Sequence, residues 1–287
     1  MDLNGDGHLD ILSGSYSRQD RNMAGLFQVL WGNKDGTFRA AEVLKGTGGE
    51  PLIIPTGGGE HDVTDKICTR PFAVDLDGDG KLDIVSGNFS GTFAWFRGEG
   101  GGKFAPKATW LEADGARLSV PSHSDPFFVD WDGDGDLDMV SGSAQGGVFL
   151  FPNVGSKQQP VFGKRVTLLE PVGHLSEATT LGDAHVTRPG AATRVWVDDI
   201  DGDGKLDLLI GDSVSLVFPA KGVAEASVKA QLAEWSTKQA KLFESRSGTP
   251  SEADQKKFDD DHAALQKERE KIVRDERTGF VWVLYGK

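Results

Sequence analysis

The sequence predicts an all-β protein built as a β-propeller, and three observations predict it. One nine-residue motif occurs four times, short apolar and aromatic segments recur at fixed places around each copy, and glycine fills 38 of the 287 positions. That is a glycine share of about 13 per cent, against an ordinary share of about 7 per cent, and no Gly-X-Y period runs through it. Seven Trp and 16 Phe supply enough apolar bulk for a core. No apolar run approaches the ~20 residues of a membrane span. The single cysteine, Cys68, rules out an intrachain disulfide.

The motif reads Asp-x-Asp/Asn-Gly-Asp-Gly-x-x-Asp, followed by three mostly apolar residues and a glycine. Its copies span residues 2–10, 75–83, 130–138 and 199–207, and the closing glycines are Gly14, Gly87, Gly142 and Gly211. Before the loop stands a short apolar run, as in Pro71–Val74, Pro126–Val129 and Val195–Val197. After it come aromatic, alternating segments at Gly25–Trp31, Gly91–Phe96, Gly147–Phe151 and Gly279–Tyr285. A further segment follows in three copies, Gly36–Leu44, Gly102–Leu111 and Pro160–Leu169. Each unit is therefore about four short strands separated by turn signals, which is the pattern of a propeller blade. The blades fall at about 1–45, 70–112, 126–170 and 194–287 within one domain, 1–287; the first and last are incomplete.

Residues 222–277 break this pattern. Gly and aromatics thin out there, while Lys, Glu, Ala and Gln rise. Val228, Leu232, Trp235 and Leu242 share one helical stripe, and Phe258, Leu265 and Ile272 share another, with His262 and Arg269 interrupting it. Thr249, Pro250 and Glu252 between the stripes form a capping-box signature. An α-helical hairpin is thus expected between the second and third strands of the last blade, as a decorative insertion or a docking arm.

The loop itself specifies a hard cation. Alternate carboxylates on a tight turn, with a backbone carbonyl from the seventh position, form the front half of an EF-hand-like calcium loop, and the second glycine allows the turn. There is no glutamate at position 12 and strands, not helices, flank the loop. Ordinary Asp-Gly turn chemistry would account for one copy but not for four at identical spacing. The ligand set is Asp2, Asn4, Asp6, His8 and Asp10; Asp75, Asp77, Asp79, Lys81 and Asp83; Asp130, Asp132, Asp134, Asp136 and Asp138; and Asp199, Asp201, Asp203, Lys205 and Asp207. His8, Lys81, Asp136 and Lys205 contribute backbone carbonyls, and the Asp136 side chain is expected to be solvated. Asn4 removes one charge, so the first site is expected to be the weakest. Up to four structural Ca²⁺ would take the net charge from −13 to about −5.

On these residues the chain resembles the FG-GAP/VCBS repeat family, the integrin-alpha-like calcium-binding β-propellers. The resemblance covers residues 1 to about 220 and the last ten, and implies calcium between the first and second strands of a blade. It also implies an extracytoplasmic setting, where calcium is abundant enough for weak oxygen-rich sites. Family members serve as adhesion modules, lectin-like binders and scaffolds of polysaccharide lyases, so the fold does not give the function. Family propellers have about seven blades. Met1 abuts the first loop and Lys287 follows a third strand, so an amino-terminally truncated fragment without its signal peptide is the expectation; a four-bladed ring is the alternative.

Three long segments before the innermost strands carry His61, Arg70, His123, Asp125, His185 and Arg188, and a ligand face opposite the calcium loops is the sharper reading of them. Loops satisfying their own polar groups are the plainer one. Glu60, Asp62 and Asp65 suggest paired carboxylates, but no catalytic residue is assigned; nor does Cys68 have a histidine beside it to make a nucleophile. The acidic balance, 44 Asp and Glu against 31 Lys and Arg, argues against nucleic acid. The function read from the sequence is a calcium-stabilised binding module for a protein or carbohydrate ligand. The alternatives are a carbohydrate-active lyase or hydrolase, or its accessory propeller, and a scaffold docking through the hairpin.

Overall fold

A computed structural model describes residues 1–18, 23–56, 62–172, 180–244 and 251–287. The chain forms two compact units: Met1–His174 with Pro189–Ser213 and Gly279–Lys287, and Leu175–Arg188 with Val214–Thr278.

The first unit is a series of small antiparallel sheets without a closed barrel. The first sheet contains Ile11–Gly14, Phe27–Leu30 and Glu42–Val43; the second contains Arg70–Val74, Asp83–Gly87, Phe93–Phe96 and Thr109–Trp110. The third contains Asp125–Val129, Asp138–Gly142, Val148–Phe151 and Val166–Leu169. In the fourth, Ala191–Asp198 pairs with the start of the long strand Asp207–Pro219, which pairs in turn with Val281–Leu284. The second, third and fourth motif loops each join an inner strand to the second strand, as the sequence predicts; the first loop leads into Ile11–Gly14.

Period-two alternation gives each sheet two apolar faces, a leading one toward the next sheet and a trailing one toward the last. Leu12, Phe27 and Val29 of the first sheet meet Ala73, Ile84, Ala94 and Phe96 of the second. Phe72, Val85, Phe93 and Trp95 on the other face of the second meet Phe128, Met139, Phe149 and Phe151 of the third. Phe127, Val140, Val148 and Leu150 then meet Val195, Val197, Leu208 and Ile210 of the fourth. Each such side chain fully removed from water contributes about 1.5–3 kcal/mol.

The motif's closing glycine lets the sheets come this close. A Cβ on Gly14, Gly87 or Gly142 would lie 1.9, 2.1 or 2.2 Å from the backbone oxygen of Thr69, Ser124 or Thr193 in the next sheet. Beside each glycine runs a reciprocal clasp. Thr69 N–H donates to the Ser15 carbonyl (3.0 Å) and Ser15 N–H to Thr69 Oγ1 (2.9 Å). Ser124 and Asn88 repeat it at 3.1 and 3.0 Å, and Thr193 and Ser143 at 3.0 and 2.9 Å. The residue before each clasp, Cys68, His123 or Ala192, has φ of 60°, 49° or 52°. That conformation costs a side-chain-bearing residue about 1–3 kcal/mol and persists because the joint over-determines it.

In the second unit, Val214–Pro219 pairs antiparallel with Val273–Thr278, and Thr180–Leu181 adds in parallel. Helices Glu225–Glu244 and Glu252–Glu270 form the expected hairpin. Two details differ from the sequence reading. Val273–Thr278, the end of the 222–277 insert, is a strand: its charged pattern hides it, and backbone pairing to the continued strand makes it. The capping box is formed by Ser251 and Asp254, two residues later than expected, because Asp254 reaches the Ser251 N–H while Ser251 Oγ accepts from the Asp254 N–H. Thr249 and Pro250 lie outside the described residues. The polar interruptions of the seam are put to use: His262 stacks on Phe258 at 6.0 Å, the Arg269 guanidinium lies 5.5 Å from the Trp235 ring, and Trp235 Nε1 donates to the Leu265 carbonyl (2.7 Å).

The joint yields a direct test. Gly87→Ala should cost about 3 kcal/mol, as a Cβ driven into packed backbone does. Urea unfolding should show this as a lower midpoint with an unchanged slope.

Candidate metal centre

The motif loops share one internal hydrogen-bond scheme. The first aspartate accepts backbone N–H groups from the glycines: Gly5 and Gly7 to Asp2 (2.8 and 2.8 Å), Gly80 to Asp75 (3.0 Å), Gly133 and Gly135 to Asp130 (2.8 and 3.0 Å), Gly202 and Gly204 to Asp199 (2.8 and 2.9 Å). Both loop glycines hold left-handed φ, for example 64° and 83° at Gly78 and Gly80, which is why the motif requires glycine there. The fifth-position aspartate accepts the N–H two residues on, as Asp79 does from Lys81 (2.9 Å).

These turns gather the carboxylates. Oxygens of Asp75, Asp77 and Asp79 lie within 4.8 Å of one another; so do those of Asp130, Asp132 and Asp138, and of Asp199, Asp201 and Asp203. The first loop, with Asn4, forms no such triad among the described residues, and Asn4 Nδ2 instead donates to Asp6 (3.1 Å).

The ninth-position aspartate has a second role that the sequence reading missed. It is buried at Asp10, Asp83, Asp138 and Asp207, and its two oxygens accept two backbone N–H groups in every copy. One comes from the loop's second residue: Leu3 (2.8 Å), Leu76 (3.2 Å), Trp131 (2.9 Å) and Ile200 (2.9 Å). The other comes from beyond the third strand: Gly32 (2.8 Å), Gly98 (2.6 Å), Asn153 (2.6 Å) and Gly286 (2.8 Å). This residue staples the loop to the sheet. Burial raises the affinity of Asp83 and Asp138 for a proton above that of an ordinary carboxylate, and the accepted N–H groups oppose it.

The donor set fits a hard cation. Asp75 Oδ1, Asp77 Oδ1 and Asp136 Oδ1 are buried and have no hydrogen-bond partner, a costly condition for an anionic oxygen. Asp136 corrects the expectation of a solvated side chain: the residue is only 6 % exposed. Burial, and then Asp134, Asp138, Asp132 and Asp130, push its pKa up. Basic side chains serve the rims: Lys81 and Lys205 pair with Asp79 and Asp203 at 2.8 Å, and Arg97 pairs with Asp77. Arg97 lies outside the motif, and no sequence signal singles it out.

Of the six residues of the expected ligand face, Arg70, His123 and Asp125 belong to the first unit. His61 lies outside the described residues, and His185 and Arg188 belong to the second unit, His185 closing the 3₁₀ turn Asp183–His185. The register makes Cys68 and Ala192, rather than His61 and His185, the counterparts of His123, since each precedes a clasp residue. Arg70 and Asp125 do belong together. They occupy equivalent positions after the clasp, and Arg194, missed in the sequence, is the third: Thr69-Arg70, Ser124-Asp125 and Thr193-Arg194 were the available signal. Arg194 Nε pairs with Asp125 Oδ2 at 3.1 Å, and Arg70 donates to the His123 carbonyl at 3.0 Å. Burial raises the Asp125 pKa, with Arg194 and Arg70 opposing; burial, then Arg70 and Arg194, lowers that of His123. Asp65 is taken up by Arg117 at 3.1 Å.

Fold and loops together define a repeat protein of small antiparallel sheets, each with an acidic loop leading into its second strand. More particularly, residues 75–141 match the FG-GAP-like repeat, from the second loop through the third. No curated protein matches the sequence. Among solved structures, a chain of the Photorhabdus luminescens Tc holotoxin pore is similar at 18% identity over 73% of this chain, with a TM-score of 0.37. The present chain spans 8% of that chain's length.

Staple and ligand roles separate by mutation. In the presence of a chelator, Asp138→Ala should lose about 2–3 kcal/mol, because two buried N–H groups lose their acceptor. Asp132→Ala should stay within about 0.5 kcal/mol under the same conditions, both read by chemical denaturation.

Proposed function

We propose that the chain is a calcium-stabilised β-propeller module that binds a protein or carbohydrate ligand outside the cytoplasm. The observation that carries the reading is the recurring loop whose carboxylates converge and, at Asp75, Asp77 and Asp136, leave buried oxygens without a donor. In each loop the side chains at positions one, three, five and nine, with the carbonyl at seven, would hold the ion. The four sheets read as blades, approximately 1–45, 70–112, 126–170 and 194–287, the last interrupted by the helical hairpin. Calcium, when bound, supplies positive charge to the clustered carboxylates and ties the inner strand to the second. The chain's residues orient those carboxylates through the glycine N–H groups. Among the described residues no helix is long and apolar enough to cross a membrane.

Arg70, Asp125 and Arg194, with His123 beside them, are the ligand-contacting group at the opposite ends of the inner strands. Two guanidiniums around one carboxylate leave a positive balance there, in a chain of net charge −13. That balance favours an anionic ligand over a neutral one.

Millimolar Ca²⁺ should raise the melting temperature by roughly 5 °C or more, since an ion binding only the folded state at about 100 times its Kd adds about 2.7 kcal/mol. A chelator should reverse the rise, and an unchanged melting temperature would reduce the loops to plain turns. On a glycan array, an Arg70→Ala, Arg194→Ala double variant should lose the binding of the unaltered chain while keeping its calcium response. Release of cleavage products from any bound polysaccharide would replace the binding module by a carbohydrate-active enzyme.

A further inference from the structure

The second loop differs from the other three in one residue of its own sheet. The ninth-position aspartates accept from Gly32, Gly98, Asn153 and Gly286. The residues just before these donors are therefore equivalent: Trp31, Arg97, Pro152 and Tyr285. Only Arg97 is charged. Its guanidinium pairs with Asp77, the third-position carboxylate, and lies 4.0 Å from the centre of the Trp95 ring. Trp95 is buried, so the ring is a fixed platform that holds the planar group in place. Two lysines add to the charge. Lys81 pairs with Asp79 at 2.8 Å. The Lys157 side chain crosses Gly78, with its Cγ and Cε 2.9 and 3.1 Å from where a Cβ on that glycine would stand.

The guanidinium meets only part of what the cluster lacks. It takes one oxygen of Asp77, while Asp77 Oδ1 and Asp75 Oδ1 stay buried without a partner. The third loop has the opposite balance. Asp136 gives it a fifth carboxylate, and among the described residues no basic side chain pairs with any of the five. The fourth loop has Lys205 on Asp203, with Tyr285 at the place of Arg97. Ligand charge count tunes the affinity of an oxygen-rich loop for calcium, and a guanidinium is a charge that never titrates away.

We propose that Arg97 is a tethered counter-cation that sets the affinity of the second loop. It holds Asp77 in the ion-free chain and opposes a second positive charge beside it, so the second loop binds calcium more weakly than the third and fills after it. The inference rests on the calcium reading above. It gives Arg97 effects of opposite sign: stabilising while the loop is empty, and unfavourable to the ion when it is filled.

Equilibrium dialysis of calcium against the full chain tests this. The second-loop site is the one lost in Asp75→Asn, and the third-loop site the one lost in Asp132→Asn. In the unaltered chain the third should bind about tenfold more tightly or better. Arg97→Gln should tighten the second site about tenfold, the size of a Coulomb interaction between a single and a double charge across one carboxylate in water. The third site should not change. Arg97→Lys, which keeps the charge, should bind like the unaltered chain. Melting supplies a readout that a merely structural role would not give. In chelator Arg97→Gln should melt below the unaltered chain, yet its rise on adding calcium should be the larger. A second site that Arg97→Gln leaves unchanged or weakens overturns the inference alone, as does a second site tighter than the third. A chain that binds no calcium overturns it together with the reading on which it rests.

Discussion

The closeness of successive sheets at the motif's closing glycine is the constraint on which the first unit depends. A Cβ there would lie about 2 Å from the next sheet's carbonyl at Gly14, Gly87 and Gly142. No side chain fits, and no small rotation of one sheet would relieve all contacts together. Once glycine is present, the rest of the joint follows. The clasp residue reaches across with its hydroxyl and its N–H, and the residue before it is driven into left-handed backbone. Cys68, His123 and Ala192 share nothing chemically, so their common conformation is a product of the joint and not of a site. The apolar faces then meet at the separation the glycine allows, and Phe, Val, Trp and Met fill the layer between them.

The acidic loop lies at the other end of the same hairpin. An inner strand of five residues, such as Arg70–Val74, spans about 17 Å. It begins at the joint and ends at the loop, so each hairpin is held at both ends by different physics. At the joint the forces are short-range: packing and neutral hydrogen bonds. At the loop they are electrostatic, and the carboxylates divide the work. The ninth-position aspartate accepts backbone N–H groups on both oxygens and holds the loop against the third strand, and at Asp138 it also joins the acidic cluster. The first, third and fifth positions gather charge at the surface, and Lys81, Lys205 and Arg97 offset part of it from the rim.

Most of the first unit was legible in the sequence because its spacing is rigid: loop, strand, glycine and aromatic segment recur in the same order. The ninth-position aspartate opens the second strand at Asp83, Asp138 and Asp207. What escaped detection depends on contacts between segments distant in the chain. The staple role of Asp83 requires Gly98, and the place of Arg194 beside Asp125 requires two sheets to be adjacent. The solvated reading of Asp136 failed because the folded loop buries its side chain, which residue type and loop position alone do not reveal. The positional equivalence of His123 with Cys68 and Ala192 is visible only from the clasp residues that follow them. The strand Val273–Thr278 carries five polar residues of six and has no period to read; only pairing with Val214–Pro219 makes it a strand.

The fourth sheet departs from the other three at the clasp position. Asp212 stands where Ser15, Asn88 and Ser143 take part in their clasps. Its N–H goes instead to the Phe280 carbonyl (3.1 Å), and its carboxylate accepts from the N–H groups of Gly190 (2.6 Å) and Phe280 (2.7 Å) and from Trp282 Nε1 (3.0 Å). The groups that elsewhere reach across to a neighbouring sheet are here satisfied within one. The polar half of the joint is thereby closed, while on its apolar half Trp196 packs on Phe127 of the third sheet, ring centroids 5.0 Å apart.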